Sequence, residues 1–130
     1  MTASLSGKRP RVEGSVRTAK QQAGDAAEAQ ALAYLQARAL KLVARNFRAH
    51  TGEIDLIMQD RDTLVFVEVR KRKNKHHGGA AASVTPAKQA KLVSAARFFL
   101  KRYATLPPCR FDVIAVEGEE IHWLKNAIET

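Results

Sequence analysis

Two β-prone runs meet at Arg61-Asp62 inside "GEIDLIMQDRDTLVFVEVRKRKN", Gly52 to Asn74. Any fold for this chain has to accommodate that hairpin. A two-residue turn pairs Asp60 with Thr63, Met58 with Val65 and Ile57 with Phe66. It also pairs Asp55 with Glu68 and sets Glu53 opposite Arg70. A four-residue loop keeps this pairing, whereas a three-residue loop or a bulge shifts it by one and exchanges the faces. In the first run Ile54, Leu56 and Met58 alternate with Glu53, Asp55 and Ile57, the pattern of a half-buried strand. Three carboxylates, Glu53, Asp55 and Glu68, thus sit where strand interiors disfavour them.

The flanking segments supply the layers. "AKQQAGDAAEAQALAYLQARAL", from about Ala19, is rich in helix formers. Ala27, Ala31, Leu35 and Ala39, with Leu32 and Leu42, form its apolar stripe. Gly24 marks a helix start or a close contact. Leu42 to Arg48 reads as a short strand, with Thr51-Gly52 as the turn after it. Thr85-Pro86 opens a second helix, Thr as N-cap and Pro at the first helical position. Its apolar face is Leu92, Ala95, Ala96, Phe99 and Tyr103, and Leu106-Pro107-Pro108 ends it. "RFDVIAVEG" is a strand, and "EIHWLKN" a final short one. The order is α-β-β-β-α-β(-β), an α/β mixed sheet flanked by helices. The third strand, second helix and fourth strand form a right-handed βαβ crossover. Residues 1–18 read as a disordered basic arm and 19–130 as a single domain.

Charge narrows the class of partner. The net charge is +9, of which residues 1–20 carry +4. Between Glu68 and Asp112 there is no acid and there are eleven Lys or Arg residues. A one-signed stretch of this kind is the footprint of a polyanion, nucleic acid ahead of a membrane surface. Lys71, Arg72, Lys73 and Lys75 leave the hairpin directly, and Lys88 opens the second helix, all placed to grip phosphates. No run approaches the roughly 18 apolar residues of a membrane span. The N-terminus lacks a secretory pattern, and Cys109 is the single cysteine. The expected setting is cytoplasmic.

The register brings the Asp55 and Glu68 Cβ atoms to about 4.5–5.5 Å, where like charges repel. Three things can offset that: a shared proton, a neighbouring Arg, or a divalent ion. Mg²⁺ is held by one or two carboxylates plus substrate phosphate. Arg70, two residues from Glu68, shares its face. The same residues also fit plain cross-strand ion pairs on a solvated face. His76-His77 lack the further ligands a zinc site needs, and Asp112 reads as structural, paired with a nearby Arg.

Asp55 followed by Glu68-Val69-Arg70 resembles the core of the PD-(D/E)XK nuclease superfamily. "GEIDLI", "LVFVEVR", "VTPAKQAKL" and "RFDVIAV", in order over residues 20–127, resemble the YraN family of small bacterial proteins. The resemblance implies a restriction-endonuclease-like fold close to Holliday-junction resolvases. It implies Asp55 and Glu68 as ligands for Mg²⁺ or Mn²⁺, with the Val69 carbonyl joining them. Glu28 matches a helical Glu that assists such sites, and Glu53 is the competing third acid. The superfamily pattern ends in Lys where this chain has Arg70. Arg stays protonated and cannot act as a base, but it can clamp a phosphate or stabilise transition-state charge. The implied activity is metal-dependent hydrolysis of DNA rather than RNA, including branched DNA. By analogy with branched-DNA enzymes on this fold, the chain would pair as a homodimer. A non-catalytic nucleic-acid-binding module on the same scaffold is the alternative, and a protein that docks an acidic partner the third reading.

Overall fold

Thr18 begins the first helix of the computed structural model, which describes residues 18–72 and 84–128. Its hydroxyl accepts from the Gln21 amide at 3.1 Å, and its own amide donates to Gln21 Oε1 at 2.8 Å. This reciprocal cap satisfies two amides that a helix start leaves open. Helix α1 then runs Ala19–Ala37. Ala39 adopts φ 73, and the Ala39 and Leu40 amides donate back to Gln36 and Leu35. That is a Schellman end with alanine in the position glycine favours. The apolar stripe therefore stops at Leu35. Ala27, Ala31 and Leu35 are buried, whereas Ala39 lies in the turn and Leu42 is exposed on the next strand. Gly24 lies inside the helix, and a Cβ built on it meets nothing within 4 Å.

Five strands follow: β1 Lys41–Ala49, β2 Gly52–Asp60, β3 Thr63–Lys71, β4 Cys109–Glu117 and β5 Glu120–Leu124. Helix α2, Pro86–Leu100, joins β3 to β4. The sheet order is β1-β2-β3-β4-β5; only β3 and β4 run parallel. Thr85 caps α2, accepting from the Lys88 amide at 3.2 Å, with Pro86 just inside. A five-stranded mixed sheet flanked by two helices is the expected α/β architecture, consistent with the restriction-endonuclease-like fold.

The hairpin register is the one the two-residue turn gives: Asp60 opposite Thr63, Met58 opposite Val65, Ile57 opposite Phe66. Arg61 takes φ 60 to close it. Two expectations need correction. The pairing of β2 with β3 ends at Leu56 opposite Val67, and Glu53 pairs with Arg48 on β1 rather than lying opposite Arg70. Nor is β2 half-buried with a simple alternation. Leu56 and Met58 join the core under α1, while Ile57 and Ile54 join the core under α2. Residues two apart should share a face, yet Ile54 and Leu56 do not.

The phase slips at Asp55. On β1, Arg45 pairs with Leu56 and Phe47 with Ile54, so Asn46 and Asp55 are both stepped over, and Asn46 adopts φ 50. A further register shift lies between Leu42 and Ala44. Irregularities of this kind re-aim side chains. Here they leave one acidic residue, Asp55, outside the pairing of β2 with either neighbour.

Candidate metal and nucleic-acid site

Asp55 stands where β2 stops pairing with β3, at a position its pairing with β1 steps over. In place of a further ladder partner, the Val69 amide donates to Asp55 Oδ2 at 2.8 Å. Glu68 acts on the Asp55 carboxyl although the two backbones are not paired. Burial, and next the Glu68 charge, push the Asp55 carboxyl up to about 7, against the pull of the Val69 bond. Two of the ways to relieve the repulsion are visible: a proton held on Asp55 and a neighbouring Arg, Arg70, beside Glu68.

Glu68 is only 4% exposed and is one of two buried charged residues among those described; the other is Asp112. Two cations meet its Oε2: Lys88 Nζ at 3.2 Å and Arg70 Nη1 at 3.4 Å. Arg70 lies on the face the two-residue spacing gives. Lys88 comes from the other side of the crossover, on the first turn of α2. The contact makes it part of the carboxylate site, where sequence reasoning had placed it only among phosphate-gripping residues. The signal was present: the right-handed crossover lays α2 over the face that carries Phe66 and Glu68, and Lys88 is on its first turn.

Glu28 reaches the site from α1. Burial raises its pKa, with Arg45 opposing, and Glu28 in turn adds to the upward push on Asp55. Its Oε1 is buried without a hydrogen-bond partner, 3.7 Å from Arg45 Nη2. A groove of about 720 Å³ runs past Glu28, Asp55, Val69, Lys71, Asn46 and Arg48. Glu53 is exposed at its rim. Among the described residues, neither Glu28 nor Glu53 joins Asp55 and Glu68 as a third ligand atom within 4.8 Å. The trio that close is Glu117, Glu120 and His122, at the far end of the β4–β5 hairpin.

The donor set fits a small hard cation. Two mutually repelling carboxyls and, from α1, a buried Glu28 oxygen without a hydrogen-bond partner are a donor set suited to Mg²⁺ or Mn²⁺ completed by water and phosphate. Lys71 is exposed beside this groove. Arg72 turns aside, its Nε 4.0 Å from Glu117 Oε2 and its side chain 11% exposed. Lys73, Lys75, His76-His77 and the arm up to residue 17 lie outside the described residues.

Asp112 is structural, as expected. It accepts from Arg110 Nε at 3.0 and 3.1 Å, from Trp123 Nε1 at 2.9 Å and from the Asn126 amide at 2.8 Å. Arg110 Nη1 also reaches Asp60 at 3.0 Å. No helix among the described residues is long and apolar enough to cross a membrane.

Comparison with known proteins places this geometry in a family. A model described as uncharacterised protein family UPF0102 matches residues 27–116. That span includes α1 from its first buried alanine, all of the hairpin, α2 and nearly all of β4. A UPF0102 protein of Herminiimonas arsenicoxydans is 63% identical over 114 residues, covering 88% of this chain and 92% of the relative. One from Janthinobacterium sp. (strain Marseille) is 62% identical over 113 residues, covering 87% and 92%. A third, from Methylibium petroleiphilum, is 56% identical over 113 residues, covering 82% and 93%. Matches of this length and identity run through every element that builds the site, and the chain belongs to the UPF0102 family, the YraN family its motifs resemble.

Proposed function

We propose that this chain is a metal-dependent endonuclease that hydrolyses phosphodiesters in DNA, branched DNA included. The observation that carries the reading is the pairing of two mutually repelling acids, Asp55 and buried Glu68, where β2 stops pairing with β3. Burying two like charges together is costly unless a proton or a cation intervenes, and a scaffold gains nothing from it. In this reading Asp55, Glu68 and the Val69 carbonyl hold Mg²⁺ or Mn²⁺. The bound ion would lower the pKa of a water and offset charge on the phosphate oxygens.

The chain's own residues do the rest. The Val69 amide fixes the Asp55 carboxylate in one orientation. Glu28 lies behind the pair and accepts a hydrogen bond from water on the open side. Arg70 and Lys88, held on Glu68 without metal, turn to the non-bridging oxygens of a phosphate once it enters. Lys88 thereby supplies, from a helix, the lysine charge that the strand lacks at Arg70. The departure from the superfamily pattern is met by a residue from another element.

The test is incubation of pure protein with duplex, single-stranded and four-way-junction DNA in Mg²⁺ or Mn²⁺. Cleavage is expected in the wild type and not in Asp55→Ala/Glu68→Ala. Activity that persists in the double variant belongs to a contaminant and ends the reading. A second reading follows from the two cations already seated on Glu68 Oε2, which satisfy that oxygen without metal. In it the chain binds nucleic acid and does not cut. Affinity unchanged by EDTA, with no cleavage under any metal, would favour that alternative.

A further inference from the structure

A second groove, of about 690 Å³, adjoins the carboxylate site. It lies between the turn joining β1 to β2 and the first turns of α2, and is lined by Arg48, His50, Lys88 and Lys91. Glu53 is the one acid in its lining, and Arg48 and Glu53 also border the groove that holds Asp55. The two depressions therefore share a wall. We propose that this second groove is a track for the phosphate backbone of a nucleic-acid strand, leading it to the carboxylates. The proposal rests on the nucleic-acid reading above and assigns the strand its path.

Three features carry it. Helix N-termini concentrate positive potential, and proteins usually set acids there. The first turn of α2 has no acid and carries Lys88 instead, with Lys91 one turn on. An anion on this surface meets amide dipoles and lysines together. Among the described residues, Arg48 and Lys91 take part in no ion pair, so their charge is open to a ligand. Lastly, the groove is built to keep its shape. A Cβ on Gly52 would lie 2.5 Å from the Lys91 carbonyl oxygen, so only glycine lets the turn sit this close to α2. The Thr51 and Ser94 hydroxyls hydrogen-bond across the same seam. The walls are fixed before a strand arrives, which lowers the ordering cost of binding.

The experiment compares wild type with Arg48→Glu/Lys91→Glu and the milder Arg48→Gln/Lys91→Gln. Labelled duplex and single-stranded oligonucleotides are titrated in EDTA across a series of salt concentrations. Loss of two phosphate contacts on duplex should flatten the slope of log K against log[salt] by about 1.8, from ~0.9 per contact. Affinity at fixed salt should fall at least about tenfold, and Mn²⁺ binding should stay as in wild type. The Gln pair keeps the test valid if the Glu pair does not fold. Wild-type affinity and slope in a folded variant would overturn the track and leave the nuclease reading intact. Failure of the wild type to bind any nucleic acid, in EDTA and in Mn²⁺ alike, would overturn both.

Discussion

Single residues in this chain are set against their local chemistry in ways that can be measured. Asp55 has a folded pKa of about 7, against an unfolded value near ~3.9. Between those values the native state keeps a proton that the unfolded chain has lost. Stability must then fall as pH rises from about 4 to about 7 and level off above. Glu28, raised by burial, acts in the same direction. Urea melts in EDTA should give a lower midpoint at pH 8 than at pH 5.5, and Asp55→Asn should shrink that difference. A difference unchanged in the variant would mean that Asp55 does not hold the proton. At two other positions the backbone argues for exchanging alanine and glycine. Gly24 is helical with open space around its Cα, and Ala39 sits at φ 73. Gly24→Ala removes a cost of up to about 1 kcal/mol, and Ala39→Gly relieves a comparable one. Each should raise Tm by about 4 °C for a domain of this size. A fall in Tm for Ala39→Gly would mean the turn draws its stability from the alanine methyl.

Elements carry the next set of constraints, and here the sequence was legible in part. The hairpin register could be read because a short turn and two alternating runs leave few alternatives, and Asp60 does face Thr63. Both helices could be read for similar reasons: Thr85-Pro86 is a local capping signal, and the apolar spacing of α2 lies within one segment. The slip at Asp55 could not. It depends on Asn46 entering the left-handed region on the adjacent strand, which asparagine tolerates but no run of residues demands. The Lys88–Glu68 contact was half hidden, since the crossover gives the face of α2 but not how far along the sheet the helix lies. The close approach of Gly52 to Lys91 pins that position. Gly52→Ala should therefore cost about 1–3 kcal/mol as an overpacked contact. The same substitution should weaken binding of a labelled duplex, because the groove wall moves with the turn. Full stability in Gly52→Ala would show that the turn can lift from the helix without penalty.

At the scale of the whole molecule, the sheet keeps its two buried acids in opposite circumstances. Asp112 and Glu68 lie one step apart along the parallel β3–β4 pair, opposite Val67 and Val113 respectively. Asp112 is fully partnered by Arg110, Trp123 and Asn126. Glu68 faces a second acid and is stabilised from outside by Lys88 and Arg70. The first acid thus contributes to stability, while the second stores repulsion that a cation would relieve. The two acids should separate under mutation. Asp112→Ala leaves Arg110 Nε, Trp123 Nε1 and the Asn126 amide without their acceptor, and removing one partner of a buried pair costs about 3–5 kcal/mol. Its urea midpoint should fall sharply, while Mn²⁺ titrated calorimetrically into the folded fraction should bind as in wild type. Asp55→Ala should do the reverse, leaving the urea midpoint in EDTA at or above that of wild type and abolishing the Mn²⁺ heat. Added Mn²⁺ should then stabilise wild type and Asp112→Ala but not Asp55→Ala, because a ligand stabilises only the native state that binds it. Were Asp55→Ala to lose stability as Asp112→Ala does, the acid pair would be an internal strut of the sheet, and the division between a supporting acid and a reactive pair would fail.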